Sequence, residues 1–263
     1  MLTSNGLDPA LLLAQKINEA KHITVFTGAG ISTSSNIPDF RSPGGVYDQV
    51  KARYDLPFPE AIFDLEYFDE DPEPFFDFSQ NLMGIDIEPS STHAFLAYLE
   101  LEGKLQILVT QNIDGLHEKA GNKKVLACHG SYQRGHCRNC GQGYSLIQMK
   151  SHLSQGSVML CHCSGVVKPD VVFFGENLPL EFYALADHPP TTDLLLVLGT
   201  GLEIHPAASF PLKVIQQQNP ESWIINLTPT SHDGHFSHRV QEDLDTFFTK
   251  VQHHMTRTLG FTL

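Results

Sequence analysis

The stretch HITVFTGAGISTSSNIPDFR, residues 22–41, tells more about this chain than any other. Residues 23–26 are apolar and β-prone, and they lead directly into Gly28-Ala29-Gly30. A strand that ends in such a turn lets backbone N–H groups approach a phosphate with no side chain in the way. The third glycine of the usual dinucleotide fingerprint is missing, and the turn continues into Pro38-Asp39-Phe40-Arg41. This extension favours a site that holds a dinucleotide and also does chemistry at its sugar.

The composition is that of a globular protein with a real core. The 263 residues are 41% hydrophobic, 10% aromatic and 18% charged. A chain of this length forms one large domain, or one domain with an insert. The formal net charge of -13 argues against a protein that binds nucleic acid directly. The charge suits a cationic partner such as a lysine-bearing peptide, although solubility alone also explains it.

Neither a targeting signal nor a membrane span is recognisable in the sequence. The apolar run at residues 11–14 is too short for the core of a signal peptide, and it follows Asp8. No apolar run is long enough to cross a bilayer. We therefore expect no membrane association and an intracellular protein, cytoplasmic or nuclear. In a reducing compartment the five cysteines are expected to be metal ligands or free thiols rather than disulfides.

Short apolar runs without clean alternation recur along the chain, which is typical of parallel strands covered on both faces. These runs are residues 22–27, 105–110, 125–128, 171–174, 194–198 and 223–227. Helical patterns are found at residues 8–20, 92–99, 212–218 and 239–253. The alternation predicts a doubly wound α/β fold with a parallel, Rossmann-like sheet.

Two stretches interrupt this alternation. Residues 42–82 are rich in Pro, Asp and Phe, which favours short helices in a lid module. Residues 131–165 hold four of the five cysteines and few apolar residues. We expect these two stretches to form a small domain together, and residues 1–41, 83–130 and 166–263 to form the Rossmann-like, dinucleotide-binding domain.

Cys137-x-x-Cys140 and Cys161-x-Cys163 form a candidate metal site. Two close cysteine pairs at this distance are typical of a zinc ribbon, and a metal would stabilise a segment too poor in apolar residues to build a core. The second pair is one residue shorter than usual, so His136 or His162 could substitute for a cysteine. Free or redox-active thiols are the alternative. With four positions filled, we expect a structural zinc rather than a catalytic one.

Polar residues follow two of the predicted strands. Gln111, Asn112 and Asp114 supply amide and carboxylate groups suited to ribose hydroxyls or a carboxamide. An ordinary turn that caps the next helix is the alternative for them. His129 is a candidate general base near pH 7, although a single histidine is more often structural. Its neighbour Cys128 points to the opposite side of the strand, so we expect it in the core.

Three further strand ends carry candidate sites. Residues 168–176, KPDVVFFGE, form either a strand whose backbone pairs with an extended peptide or an ordinary buried strand. Gly199-Thr200-Gly201 and Asn226-Leu227 end or follow strands, and they suit the adenosine half of a dinucleotide. Tight strand-to-helix turns are the alternative for both.

Taken together, these stretches resemble the sirtuin family, the NAD-dependent protein-lysine deacylases. The matching pieces stand in family order and cover most of residues 22–230. They are GAGISTSSNIPDFRSP (28–43), TQNIDGLHEKAG (110–121), HGS (129–131), CRNC (137–140), VVKPDVVFFGENLP (166–179), GTGLEIHPA (199–207) and INL (225–227). PFPEAIF (57–63) is similar to the deacetylase-type branch. Asn36 stands where the family usually has glycine, and asparagine is the residue that best tolerates a positive φ in its place.

The resemblance implies that NAD is consumed while acyl groups, acetyl in the first place, are removed from protein lysine side chains. Nicotinamide and O-acyl-ADP-ribose would be released. His129 would be the general base, and Asn112 would order the ribose and a water. The implied NAD contacts are Gly28, Ala29, Gly30, Ser32, Asp39, Phe40, Arg41, Gln111, Ile113, Asp114, Gly199, Thr200, Gly201, Asn226 and Leu227. The implied contacts to the substrate peptide are Val171, Val172, Phe173, Phe174 and Gly175.

Two other functions stay open at this point. The same cleavage of NAD would support mono-ADP-ribosyl transfer to protein, and a non-catalytic NAD-binding or scaffold protein could carry the same zinc ribbon. An intact His129 and Asn112-Ile113-Asp114 argue against the scaffold. The expected partner is an acyl-lysine protein or peptide, with no direct contact to nucleic acid, and the oligomeric state is left open.

Overall fold

The computed structural model describes residues 8–83 and 87–259. Its strands fall into a larger parallel sheet and a smaller antiparallel one. In chain order they are β1 (Ile23–Thr27), β2 (Leu105–Thr110), β3 (Val125–Ala127), β4 (Gly130–Cys137), β5 (Gly143–Ser145), β6 (Val167–Val171), β7 (Leu194–Leu198), β8 (Glu221–Ile225) and β9 (His238–Val240).

The α-helices alternate with the strands of the larger sheet or cluster beside the smaller one. They are α1 (Pro9–Glu19), α2 (Val46–Arg53), α3 (Leu65–Glu70), α4 (Glu73–Met83), α5 (Ser91–Leu101), α6 (Leu116–Ala120), α7 (Leu146–Gln155), α8 (Leu180–Asp187), α9 (Ser209–Gln218) and α10 (Leu244–Leu259). Helix α1 begins as the sequence predicts, because the carboxylate of Asp8 accepts the N–H of Ala10 over 3.0 Å and Pro9 occupies the first position. Across the described ranges, no helix combines the length and the apolar character that a bilayer span needs.

The strand order of the larger sheet is β3-β2-β1-β7-β8-β9, and every pairing in it is parallel. The chain therefore winds outward from β1 in one direction and from β7 in the other. The order reverses between β1 and β7, and sheets of this kind bind ligands outside the carboxyl ends of the strands at such a point. The doubly wound α/β fold predicted from the sequence is confirmed.

Helices cover both faces of this sheet. Leu194, Leu196 and Leu198 of β7 pack in one cluster with α1, α5 and α10. Leu195 and Val197 of the same strand pack in another cluster with α8 and α9. All five residues of β1 are buried as well. Burial on both faces explains why the strand sequences are continuously apolar instead of alternating.

The smaller sheet has the order β5-β4-β6 and is antiparallel. Helices α2, α3 and α4 confirm that residues 42–82 are mainly helical, and they share an aromatic cluster with the chain that follows β6. The ring centroid of Phe173 lies 5.0 Å from that of Phe75 and 5.4 Å from that of Phe68. We call β4, β5, β6 and the helices packed on them the small module.

One predicted element is wrong, and another begins at the wrong residue. Residues 171–174 are not a strand of the parallel sheet, because the strand at this position is β6, which ends at Val171 and pairs antiparallel with β4. A short apolar run has the same periodicity in either setting. The closing helix was predicted over residues 239–253, but His238–Val240 is the edge strand β9 and α10 begins only at Leu244. The pairing of β9 with β8 overrides the helical pattern there.

Candidate active site

A cavity of about 440 Å³ lies at the carboxyl ends of β1, β2 and β7, between the parallel sheet and the small module. This volume lies in the range of small-molecule sites. Most residues predicted to contact NAD or the substrate line it. They are Ala29, Gly30, Asp39, Phe40, Arg41, Gln111, Asn112, Ile113, His129, Val171, Val172, Phe173, Phe174, Gly175, Gly199, Thr200, Gly201, Asn226 and Leu227. Gly28, Ser32 and Asp114 do not belong to this lining.

Gly28 and Gly30 bring the end of β1 against the end of β7. A Cβ added to Gly30 would lie 2.8 Å from Cα of Gly199, and one added to Gly28 would lie 2.6 Å from Cβ of Thr200. The N–H groups of Gly28 and Gly30 donate to the carbonyls of Leu198 (3.0 Å) and Gly199 (2.9 Å). Two of the three amides expected to approach a phosphate are therefore bonded within the protein, and their contact with NAD stays a prediction.

Side chains after β2 are fixed by a short hydrogen-bond network. Nδ2 of Asn112 donates to Oγ of Ser32 over 3.1 Å, and that hydroxyl donates to Oδ2 of Asp114 over 2.7 Å. The second oxygen of Asp114 accepts the N–H at the start of α6 over 2.9 Å. Thr200 donates its hydroxyl to Oε1 of Gln111 over 2.7 Å, which joins the ends of β2 and β7. Ser32 and Asp114 thus orient Asn112, and a direct contact of either with NAD stays a prediction.

A second chain of hydrogen bonds lies beneath this network. Oγ1 of Thr27 donates to Oγ1 of Thr110 over 2.8 Å, and the latter accepts the backbone N–H of Asn112 over 3.0 Å. Nε2 of His117, 3.0 Å from Oγ1 of Thr27, must therefore be a donor. Burial lowers the pKa of His117 to about 3, with a smaller contribution from the imidazole of His93. His117 is consequently a neutral donor that supports the backbone of Asn112.

His129 lies at the junction of the two sheets, between β3 and β4. Its Nδ1 is 3.0 Å from the carbonyl oxygen of Gln111. Because a carbonyl only accepts, Nδ1 carries the proton and Nε2 is the basic nitrogen. Burial lowers the pKa of His129, and the hydrogen bond to Gln111 opposes this shift only in part. The imidazole is therefore neutral near pH 7, as a general base must be.

The residues on either side of His129 have structural roles, one in the core and one in a backbone turn. Cys128 is fully buried, as predicted, and burial raises the pKa of its thiol to about 12. Gly130 has φ 73°, and an added Cβ would lie 1.9 Å from the carbonyl oxygen of Asp170. Only glycine therefore lets the chain turn from β3 into the small module at this point.

The loop after β1 is shaped by a left-handed residue, Asn36, and by the side chain of Asp39. Asn36 has φ 63°, in the left-handed region that its asparagine was expected to tolerate. Oδ1 of Asp39 accepts the N–H groups of Arg41 and Ser42, over 2.9 and 2.7 Å. Asp39 thus shapes the turn from within, and its contact with NAD stays a prediction.

Phe40 and Arg41 form one wall of the cavity. The ring of Phe40 lies 5.7 Å from that of Tyr47 and 5.8 Å from that of Phe63, measured between centroids. The guanidinium of Arg41 lies over the Tyr47 ring, 5.4 Å from its centroid. Nε of Arg41 is also 3.3 Å from Oε2 of Glu203, and both residues line the cavity. This exposed ion pair connects the loop to the sheet side of the site.

Residues 171–175, predicted to pair with a peptide, are held firmly by the protein. The N–H groups of Val172 and Phe174 donate to the carbonyls of His129 and Phe63, each over 2.8 Å. The segment is thereby fixed to the general-base candidate on one side and to the small module on the other. Its pairing with a substrate backbone stays a prediction.

The four cysteines of the two close pairs converge in the small module. Their sulfur atoms all lie within 4.8 Å of one another. Sγ of Cys137 is 3.4 Å from that of Cys163, and Sγ of Cys140 is 3.6 Å from that of Cys161. Tetrahedral zinc with bonds of about 2.3 Å separates its sulfur ligands by about 3.8 Å. The cluster therefore has the donor set and size of a structural zinc site.

Backbone geometry compensates for the short second pair. Ser164 adopts φ 65° just after it, which turns the chain so that both thiols face the first pair. Gly165 permits the close approach, since an added Cβ would lie 2.7 Å from Sγ of Cys137. His136 instead pairs with Asp170 over 2.7 Å. Within the described ranges, the convergent metal-ligand group consists of the cysteines alone, with neither His136 nor His162 in it.

The sequence did not identify two continuous stretches of the cavity wall, besides single residues such as Tyr47 and Glu176. Residues 202–206, which follow β7, and residues 242–244, which lead into α10, both line it. The first set belongs to the GTGLEIHPA motif, so the resemblance could have assigned it. The second reaches the cavity because the N–H of Asn226 donates to the carbonyl of Val240 over 3.1 Å. No local signal in the sequence indicates this contact.

Close-packed glycines at the switch point of a doubly wound sheet, in a chain that also carries a convergent cysteine cluster outside that sheet, are typical of one class of protein. This class is the dinucleotide-binding α/β proteins with a metal-stabilised module. Within that class, residues 28–206 match the sequence profile of the Sir2 family. The chain belongs to this family, the sirtuins.

Curated relatives agree with the match. NAD-dependent protein deacetylase sir-2.1 of Caenorhabditis elegans is 42% identical over 215 residues, which are 81% of this chain and 35% of that protein. NAD-dependent protein deacetylase HST2 of Candida albicans is 40% identical over 207 residues, which are 77% of this chain and 62% of that protein. The chain thus spans about a third and about three fifths of the lengths of these two relatives.

Solved structures of Sir2 enzymes share the whole fold. One, determined for the mechanism and regulation of Sir2 enzymes, has a TM-score of 0.85 and 32% identity, and the match covers 94% of this chain and 98% of that one. Another contains a deacetylated p53 peptide and 3'-O-acetyl-ADP-ribose. It has a TM-score of 0.80 and 34% identity, with 92% of this chain and 96% of that one covered.

Proposed function

We propose that this chain is an NAD-dependent protein-lysine deacetylase, which transfers the acyl group of a lysine side chain to the ADP-ribose part of NAD. The observation that carries the proposal is the placement of His129. A neutral imidazole with its Nδ1 proton fixed by Gln111 lines a cavity at the switch point of a dinucleotide-binding sheet. The names of the two relatives and the acetyl-ADP-ribose in the Sir2 complex support this reading.

NAD, consumed as co-substrate, supplies the ribose that receives the acyl group once nicotinamide has left. The acyl oxygen of the lysine side chain bonds to the ribose carbon that nicotinamide leaves, and His129 accepts at Nε2 the proton of a neighbouring ribose hydroxyl, so that this hydroxyl oxygen can attack the acyl carbon. Addition of water then releases the lysine as the free amine and leaves the acyl group on the ribose. Asn112, oriented by Ser32, orders the ribose and a water. Ile113, beside it, contacts the nicotinamide carboxamide.

The remaining wall residues hold the two substrates in this reading. Phe40 shields the reaction centre from returning nicotinamide, and Arg41 closes the loop over it. Gly199, Thr200 and Gly201, together with Asn226 and Leu227, face the adenosine half of NAD. Residues 171–175 receive the backbone of an acyl-lysine protein or peptide. The cysteine cluster holds a structural zinc, outside the chemistry, and the reaction suits the cytoplasm or nucleus, where NAD is available and thiols stay reduced.

The proposal is tested with NAD labelled in the adenine ring and an acetyl-lysine peptide. Wild-type protein is expected to release nicotinamide and place the label in a small product, acetyl-ADP-ribose. His129→Ala should lower turnover at least about 100-fold, because positioned proton transfer contributes about 10²- to 10⁴-fold. His188→Ala, which removes an exposed histidine at the end of α8, is the matched control and should turn over normally.

Other results would contradict the assignment. Label attached to protein, rather than to a small product, would indicate mono-ADP-ribosyl transfer. Binding of NAD without nicotinamide release, across a panel of acyl peptides and from zinc-loaded protein, would indicate a non-catalytic binding protein. Normal turnover by His129→Ala would remove His129 from the role of general base.

A further inference from the structure

A buried lysine lies directly behind the segment proposed to receive the peptide. The side chain of Lys168, in β6, is only 6% exposed. Its Nζ donates to the carbonyl oxygen of Val171 over 2.6 Å and to Oε2 of Glu176 over 2.8 Å. The same ammonium lies 4.0 Å from the ring centroid of Phe173, within the range of a cation–π contact.

Glu176 completes this arrangement from the other end of the segment. Its Oε2 accepts the backbone N–H of Phe173 over 2.7 Å as well as the ammonium of Lys168. One ion pair therefore engages a carbonyl at Val171 and an amide two residues later. Between these two points, the N–H of Val172 donates to the carbonyl of His129. The backbone that faces the cavity is thus tied both to the ion pair and to the general-base candidate.

The ion pair of Lys168 and Glu176 is not explained by its contribution to folding stability. Burying the ammonium of Lys168 is costly, even though the partner carboxylate is still 26% exposed, and well-packed apolar side chains of similar volume are often as stable. Burial lowers the pKa of Lys168, and Glu176 opposes that shift. What the pair supplies, and an apolar pair could not, is a set of directed hydrogen bonds to the backbone of residues 171–173.

We propose that Lys168 and Glu176 are positioning residues, which hold residues 171–175 in the backbone geometry that receives the acyl-lysine peptide. The inference rests on the proposed function, since it concerns the same substrate. Without the pair, the carbonyl of Val171 and the amide of Phe173 turn away from this geometry. Peptide binding then weakens, while the NAD side of the cavity, built on β1, β2 and β7, keeps its shape.

Lys168→Met tests whether peptide binding is lost while NAD binding is kept, because methionine retains an unbranched side chain of similar length. By calorimetry, the variant should bind an acetyl-lysine peptide at least about tenfold more weakly than wild type, the effect of losing one charge-assisted hydrogen bond. Its affinity for NAD alone should change by less than about twofold. Glu176→Gln keeps an acceptor for Phe173 but loses the charge. It should show the same selectivity for the peptide with a smaller loss, and it serves as the test if Lys168→Met does not fold.

Lys104→Met is the matched control. Nζ of Lys104 also donates to three backbone carbonyls, those of Ile17, Asn18 and Ala20 at the end of α1. It lies outside the cavity wall. Its loss should lower the melting temperature and leave both ligand affinities unchanged.

The results distinguish a failure of this inference from a failure of the proposed function. Unchanged peptide affinity in both Lys168→Met and Glu176→Gln would overturn it. An equal loss of peptide and NAD affinity would also overturn it, because the pair would then stabilise the whole site. If wild-type protein releases no nicotinamide from NAD and an acetyl peptide, the proposed function fails instead, whatever the variants do.

Discussion

The two sides of the cavity are stabilised in different ways. On the sheet side, strands buried on both faces hold the chain, and short side-chain hydrogen bonds such as Thr27 to Thr110 fix the polar residues. In the small module, the aromatic cluster around Phe75 and Phe173 is supplemented by four converging cysteines. One side therefore depends on apolar burial, and the other depends on a metal as well. His129 lies where the two join.

The largest expected effect is the loss of the metal. Cys140→Ser changes an exposed ligand with little effect on packing, and structural zinc contributes on the order of 10 kcal/mol to the folding of small modules. We expect zinc content to fall towards zero, turnover to disappear and the small module to become sensitive to protease. Trp223, the only tryptophan, is fully buried in β8, so its fluorescence should still report a folded sheet.

Cys128→Ser is the control for this experiment. Because Cys128 lies outside the cluster, this variant should still bind one zinc per chain. If the Trp223 unfolding transition disappears together with the zinc in Cys140→Ser, the two sides are not stabilised independently. The comparison between them would then be wrong.

Gly30→Ala tests the sheet side in the same way. The added Cβ would lie 2.8 Å from the backbone Cα of Gly199, and overpacking of this kind costs about 1 to 3 kcal/mol. We expect denaturant unfolding to show this loss, together with weaker NAD binding and normal zinc content. Gly234→Ala, where an added Cβ has no atom within 4 Å, should change none of the three. Normal NAD binding by stable Gly30→Ala would show that the close contact is dispensable.

The buried histidines should make the sheet side sensitive to acid. The pKa of His117 falls from 6.5 to about 3 in the folded protein, so below pH 6.5 the unfolded chain binds a proton that the folded one does not. Stability from this residue is therefore fully present above pH 6.5 and falls as the pH drops towards 3, by about 1.4 kcal/mol per unit. His117→Gln should make the free energy of unfolding less dependent on pH between 7 and 5.

His188→Gln is the control variant, because it makes the same change of side chain at an exposed position outside the hydrogen-bond network. Equal slopes for wild type and His117→Gln would show that His117 is protonated in the folded state. The hydrogen-bond direction from His117 to Thr27 would nevertheless remain, because Nε2 donates in both forms.

The smallest effect concerns the exposed ion pair between Arg41 and Glu203 in the cavity wall. Arg41 and Glu203 have side chains that are 43% and 62% exposed, and such pairs contribute about 0 to 1 kcal/mol. Glu203→Gln should therefore lower the melting temperature by no more than about 2 to 4 °C. High salt should mimic the substitution, whose effect on turnover we expect to be less than about threefold. A large loss of turnover would show that Glu203 does more than hold the loop.

Sequence and structure agree best where local chemistry dictates the backbone. The run before Gly28 had to be a buried strand, Asn36 had to accept a positive φ, and the spacing of the cysteines brought four thiols together. The errors lie where a distant partner decides. Residues 171–174 look like a parallel strand, yet β6 ends at Val171 because it pairs with β4. Residues 239–240 look helical, yet they pair with β8.

Prediction of the candidate site from the sequence has the same limit. Sequence motifs located most of the wall, but they could not show that the amides of Gly28 and Gly30 already donate to the end of β7. Nor could they show that Asp114 accepts from Ser32 and the start of α6. Both contacts depend on which strand ends become neighbours, and this follows from the strand order of the sheet rather than from any local pattern.

The contact between Gly30 and Gly199 also determines the stage of folding at which the protein can bind NAD. The two residues are 169 positions apart, and they meet only once β7 has paired with β1. Closing so long a loop is slow compared with forming a local turn. During synthesis the strand that ends at Thr27 emerges early, but the contact of Gly30 with Gly199 forms only after residue 199 leaves the ribosome. Affinity for NAD would therefore serve as a late and sensitive report of finished folding.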